Sequence, residues 1–355
     1  MAKKKLGNTI REGIRDLHPG YFALVMATGI VSIAAYLLEL TPIAWALFWI
    51  NIVAYSILWI LLLARLVGYF PKVVADVSNH GRGPGFFTVV AATCVLGSQL
   101  VIMTGSTSIA LVLWLLGLVL WPIIMYSFFT AMTVKAEKPP LEIGLSGAWL
   151  IAIVATQSIA VLGTMVSSRF GDGQEIVLFL ALTMYLLGGM LYIIIITLIF
   201  YRFTFFKMSP QEIAPPYWIN MGAVAITTLA GATLILNSSQ WGFLQELLPF
   251  IKGFTLFFWA AGTWWIPLLL ILGGWMHFYK RLSIRYNPLY WGMVFPLGMY
   301  TTCTFQLAKA LGLDFLNVIP TYFIYLALVA WLAAFIGLVH RLITLLRPGQ
   351  TVEEA

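Results

Sequence analysis

A proline or glycine, one further residue and then a pair of bulky, mostly aromatic side chains recur five times along this chain, each time at the head of an apolar stretch. The five lead-in motifs are Pro19-Gly20-Tyr21-Phe22, Pro84-Gly85-Phe86-Phe87, Gly147-Ala148-Trp149-Leu150, Pro215-Pro216-Tyr217-Trp218 and Pro288-Leu289-Tyr290-Trp291. Their first positions lie 65, 63, 68 and 73 residues apart, and every interval holds two hydrophobic stretches. The repeating unit is therefore a helical hairpin that crosses a membrane twice.

Composition supports the membrane reading. Of the 355 residues 61% are hydrophobic and 9% charged, and the mean hydropathy of +0.94 lies far outside the range of soluble domains. A span needs about 20 apolar residues to cross roughly 30 Å of hydrocarbon. With no water available there, each span must satisfy its own backbone polar groups, so the spans are predicted to be helices. Ten are expected, at 20–40, 43–67, 85–104, 108–133, 145–166, 175–201, 216–236, 253–276, 288–310 and 316–343. The predicted fold class is all-α integral membrane, with ten transmembrane helices forming five hairpin repeats in a ring around a central pore. A proline in the first turn followed by interfacial aromatics is common in membrane helices. Ten spans without symmetry are thus a second reading, against which the near-constant spacing weighs.

Lys and Arg accumulate in cytoplasmic loops. Seventeen basic residues, among them Lys3, Lys4, Lys5, Arg65, Arg82, Lys138, Lys207, Arg285 and Arg347, fall on one side of the predicted spans, and three, Arg169, Lys252 and Lys309, on the other. Both termini are expected in the cytoplasm, across a bacterial or archaeal inner membrane. Residues 1–17 read as an amphipathic cytoplasmic segment, with Leu6, Ile10, Ile14 and Leu17 on its apolar face and no small-residue cleavage site after the first apolar run. Residues 18–346 are expected to form one ten-helix transmembrane domain and 347–355 a cytoplasmic tail. Basic residues scattered over short loops do not make a nucleic-acid surface. Cys94 and Cys303 fall inside predicted spans and read as packing residues, with neither a disulfide nor a metal expected.

The first helix of each pair is rich in small and hydroxyl residues, and the second in Leu, Ile and Phe. Small residues permit close helix approach and hydroxyls solvate a permeating species, whereas large aliphatics suit lipid. Odd helices are therefore expected to line a central path, with Thr28, Thr93, Thr156, Gln157 and Thr302 along it. Seven residues inward from each lead-in stand Met26, Ala91, Val154, Gly222 and Phe295, expected at one depth. Phe295 is the one aromatic of the five, and Pro296 follows it, a residue that interrupts helical hydrogen bonding. A side chain swung across a narrow bore can close it sterically and by dewetting. Ordinary packing is the alternative role for Phe295.

The segment Asn287 to Leu297 resembles the ninth helix of the tellurite-resistance/dicarboxylate transporter family, which includes plant guard-cell slow anion channels. His18 to Ser32 resembles the opening motif of that family's malate-permease and sulfite-exporter branch, and a third similarity lies in Gly147 to Gly163. The chain departs from the channel branch at Ala23, where the channels have glycine. The resemblance implies five hairpins around a pore, assembly as a homotrimer with one pore per subunit, no cofactor, and Phe295 with Pro296 at the gate.

No Lys or Arg stands midway along an odd helix, and Glu142, Glu246, Lys309, Asp314, His18, His80, His277 and His340 fall at span ends. Proton-coupled carriers keep an ionisable group in the membrane interior, so the residues lean to passive anion conduction, while the resemblance leans to malate or another C4-dicarboxylate. The expected partners are a small anionic substrate and the lipid bilayer. Chloride, nitrate, sulfite, tellurite and malate all stay open. A membrane enzyme would need clustered His, Cys or carboxylates, which the sequence pattern does not offer, so the chain is not expected to be an enzyme.

Overall fold

The structure is a computed structural model that describes residues 2–208, 215–281 and 286–346. Arg285, Arg347 and the tail 347–355 lie outside the described residues. Among the described residues ten long helices carry the architecture, and each overlaps one predicted span: α1 (Ala23–Leu37), α2 (Thr41–Gly68), α3 (Phe87–Thr104), α4 (Thr107–Val134), α5 (Ile151–Val166), α6 (Gln174–Phe205), α7 (Ile219–Leu236), α8 (Leu248–Gly274), α9 (Trp291–Leu311) and α10 (Val318–Leu346). Among the described residues, eight stretches are long and apolar enough to cross a membrane. One of these, Gly147–Phe205, contains both α5 and α6. Helix α9 is not among the eight; Thr301, Thr302, Thr304, Gln306 and Lys309 lower its hydropathy. A further helix, Ala2–Arg15, precedes the ten and packs against α2.

Every lead-in motif takes the same form, a single 3-10 turn that opens an odd helix: Pro19–Phe22, Gly83–Phe86, Gly147–Leu150, Pro215–Trp218 and Pro288–Tyr290. Proline suits the start of a helical turn because its missing N–H has no partner there in any case. Each odd helix packs along the even helix that follows it, which makes five hairpins. The odd helices also pack on one another in sequence, α1 on α3, α3 on α5, α5 on α7 and α7 on α9, and α9 closes on α1. The five lead-in turns touch in the same closed order, so all five odd helices start on the same side.

Packing sorts inner from outer helices as the side-chain sizes require. Of the apolar window in Pro215–Leu236, 94% is buried, against 22% of that in Asp314–Thr344. Even helices present Ile60, Val112, Ile194, Leu270 and Val329 outward, as a lipid-facing wall does. Glycine is needed where the inner backbones come closest. A Cβ on Gly85 would lie 2.7 Å from the Gly20 nitrogen and 3.1 Å from its Cα, so the first two lead-in turns meet backbone to backbone. Cys94 and Cys303 are buried free thiols.

Candidate functional site

Two small cavities lie along the bundle of odd helices, one on the lead-in side and one beyond it. Their linings follow one register. Counted from the first residue of each motif, position +1 (Gly20, Gly85, Ala148, Pro216, Leu289) and position +4 (Ala23, Thr88, Ile151, Ile219, Gly292) line the near cavity in all five repeats. Position +11 (Ile30, Val95, Ser158, Ile226, Met299) and position +14 (Ile33, Ser98, Val161, Leu229, Thr302) line the far cavity, again in all five. Ile102, Met165 and Gln306 add position +18 in three repeats. At about 3.6 residues per turn these positions fall on one helix face, so the inner helices are related by a common register and all turn that face to the axis.

Position +7 belongs to the same face and lies between the cavities. Its residues are Met26, Ala91, Val154, Gly222 and Phe295, all buried, and the four with side chains have no exposed surface. Met26 also reaches the near cavity. Gly222 has no side chain here because Pro296 occupies the space: a Cβ on Gly222 would sit 2.7 Å from the Pro296 Cγ. The proline ring of α9 thus packs into the backbone of α7 directly beside Phe295. These five buried residues stand between the two cavities.

Four of the residues expected on the path face away from it. Thr28, Thr93 and Thr156 stand at position +9, about half a turn from the lining face, and hydrogen-bond to outer helices. Trp331 Nε1–H donates to Thr28 Oγ1 at 2.9 Å and Trp121 Nε1–H to Thr156 Oγ1 at 2.8 Å. Thr93 gives its proton to the Val89 carbonyl and accepts from the Tyr55 hydroxyl at 3.0 Å. Gln157 Nε2 donates to the Tyr185 carbonyl of α6 at 2.9 Å. These groups fasten the inner helices to their outer partners, where a buried indole N–H or amide needs a partner. Thr302 does line the far cavity.

Register, rather than hydroxyl content, is the signal that identifies Ser98, Ser158 and Gln306 in the far cavity and Thr88 in the near one; His18, which also lines the near cavity, stands one residue before the first motif and outside that register. The far-cavity hydroxyls donate within their own helices, Ser98 to the Cys94 carbonyl, Ser158 to that of Ala155 and Thr302 to that of Gly298. Both linings are otherwise mainly apolar.

The basic residues at the near side are less available than their number implies. Arg82 is bound to Asp76, Nε to Oδ1 at 2.7 Å, and Arg65, 1% exposed, reaches Oδ2 of the same carboxylate at 2.6 Å. Burial pushes the Asp76 carboxyl up, but the hydrogen bonds and charges of Arg82 and Arg65 outweigh it and hold it below its ordinary value. Arg65 also donates to the Arg15 carbonyl and Arg82 to those of Asp16 and Leu17, which ties the N-terminal helix to the first lead-in. Lys138 and Lys207 are exposed.

Comparison with known proteins agrees with this architecture. The model of the voltage-dependent anion channel family matches residues 16–339. An uncharacterized transporter of Methanocaldococcus jannaschii is 24% identical over 92% of this chain and 95% of its own length. The sulfite efflux pump of Arthroderma benhamiae is 23% identical over 92% of this chain and 91% of its own. An uncharacterized membrane protein of Mycobacterium tuberculosis is 34% identical over 43% of this chain and 77% of its own. The family is one of anion channels, and the Methanocaldococcus and Arthroderma relatives are named as a transporter and an efflux pump, which sets the chain among transport proteins. With a family match that runs from the first lead-in to the last outer helix, this chain is a member of the voltage-dependent anion channel family.

Proposed function

We propose that the protein passes small anions along the axis of its inner helices, and that Phe295, backed by Pro296, is the gate. The observation that carries this reading is the pair of cavities lined in one register by all five repeats, with a buried tier between them. Five inner helices begin around the near cavity, so the positive ends of five helix dipoles face it. That field favours anions without a fixed charge on the path, and weak solvation suits passage because a tightly bound ion does not leave.

The opening-motif resemblance and the sulfite efflux pump relatives support malate, sulfite or tellurite as cargo. The mainly apolar linings favour the second reading, passive conduction of chloride or nitrate: among the described residues they hold one titratable side chain, His18, with no carboxylate or lysine beside it on the lining to continue a proton relay. The positive-inside asymmetry supports both termini in the cytoplasm of a prokaryotic cell, and the family resemblance supports a homotrimer with one path per subunit.

Flux into proteoliposomes, with nitrate, chloride, sulfite and malate compared with and without a pH gradient, tests the proposal. Passage of several anions regardless of the gradient establishes a channel. Saturable malate or sulfite uptake that follows the gradient establishes a carrier on the same scaffold. Failure to move any anion overturns the proposal.

A further inference from the structure

We infer that His18 contacts the permeating anion in the near cavity through its Nε2–H; the inference rests on reading the axis as an anion path. Two side chains with hydrogen-bonding groups line that cavity, His18 and Thr88. The Thr88 hydroxyl is engaged with the carbonyls of Gly85 at 2.6 Å and Pro19 at 3.2 Å. The backbone donors at position +1 are engaged as well: Gly20 N–H on His18 Nδ1, Gly85 N–H on the Arg82 carbonyl, Ala148 N–H on Ser146 Oγ and Leu289 N–H on Asn287 Oδ1, while Pro216 has none. Among the described residues, His18 Nε2 has no hydrogen-bond partner.

The tautomer follows from the geometry. His18 Nδ1 accepts from Gly20 N–H at 3.0 Å, so a neutral imidazole carries its proton on Nε2. The ring is kept neutral: burial lowers its pKa, the Arg82 charge lowers it further with a smaller contribution from Arg65, and Asp76 only partly opposes them, leaving it at about 4. The internal repeat makes the assignment sharper. The residue before the motif is Ser146 in the third repeat and Asn287 in the fifth, and both cap the second residue on through a side-chain oxygen, as His18 does through nitrogen. Neither lines the cavity. Capping therefore needs only a short acceptor at this position, and histidine adds a second, donating atom on the far side of its ring.

The same comparison supplies the test. His18→Asn keeps a capping acceptor of the kind Asn287 provides; its amide still carries N–H donors, but on a shorter side chain that, like Asn287, does not line the cavity, so the donor is withdrawn from the path. In nitrate flux from proteoliposomes, this variant is expected to raise the half-saturating concentration about tenfold, with the maximal rate within about twofold of wild type, since a donor to a charged acceptor is worth roughly that factor. Wild-type protein labelled with ¹⁵N-histidine has only four histidines to resolve, and added nitrate is expected to shift the His18 Nε2 signal even in solubilised protein. Unchanged half-saturation in His18→Asn overturns the contact, and so does an Nε2 signal indifferent to saturating nitrate, which decides the matter if the variant does not fold. A wild type that moves no anion overturns the transport reading instead, and the spectroscopic titration separates the two failures.

Discussion

Phe295→Ala is the substitution on which the buried tier makes its clearest demand. Helix α9 reaches the near cavity with Gly292 and the far cavity with Met299, seven residues or about 10 Å apart along the helix, and Phe295 fills the tier between them. Its side chain has no exposed surface. Moving a fully buried phenylalanine into water costs about 1.5–3 kcal/mol. If that swing is the opening step, the closed state dominates by roughly ten- to a hundredfold, and removing the ring raises nitrate flux by that factor. Truncating phenylalanine in a sealed core costs about 3–5 kcal/mol. Here the vacated space joins two cavities and admits water, so a loss near the lower figure is expected in thermal unfolding of the purified variant. Phe295→Leu, with a smaller but still apolar plug, is expected to fall between wild type and alanine in flux. A folded Phe295→Ala protein whose nitrate flux equals that of wild type would refute the gate and leave Phe295 as packing.

Other substitutions separate fastening from conduction. Thr156→Val leaves the buried Trp121 N–H without its acceptor and is expected to cost about 1–3 kcal/mol in unfolding with little change in flux, whereas Thr302→Val, on the far-cavity wall, is expected to alter flux at nearly unchanged stability. Gly85→Ala places a Cβ 2.7 Å from a backbone nitrogen of the neighbouring lead-in turn and is expected to destabilise by about 1–3 kcal/mol, visible as a lowered unfolding midpoint. Asp76→Asn removes the carboxylate shared by Arg65 and Arg82 and is expected to cost about 3 kcal/mol, the low end for breaking a buried pair, because Arg82 can be rehydrated. Since the Asp76 pKa is depressed below its ordinary 3.8, its contribution is complete above that pH and is lost as pH falls through the folded-state value. Unfolding of wild type and Asp76→Asn compared from pH 6 down to pH 3 is expected to show the gap between them narrowing only at the acid end.

The sequence by itself determined the helices, their pairing and the inner-outer division, because these follow from quantities carried along the chain. Apolar length sets what can span a bilayer, recurrence of the Pro/Gly-aromatic lead-in sets the hairpin unit, and the contrast between helices such as α7 and α10 sets which are enclosed. Counting from a repeated start preserves helical phase, so the chain carries a register as well as a set of spans. Direction across the axis was not legible from residue type. Thr28, Thr93 and Thr156 have the composition of pore residues, yet nine positions from the start they point at Trp331, Tyr55 and Trp121 on the outer helices. Their hydroxyls answer buried indole and phenol groups that lie far away in sequence. Likewise, Gly222 is explained only by Pro296 on the adjoining helix, Arg82 is neutralised only by Asp76 across a turn, and His18 faces the axis only because five lead-in turns close around it. Local pattern specifies a helix and its phase, but which side chain meets which is decided when separate hairpins pack, because burial and hydrogen-bond satisfaction are properties of that assembled interior.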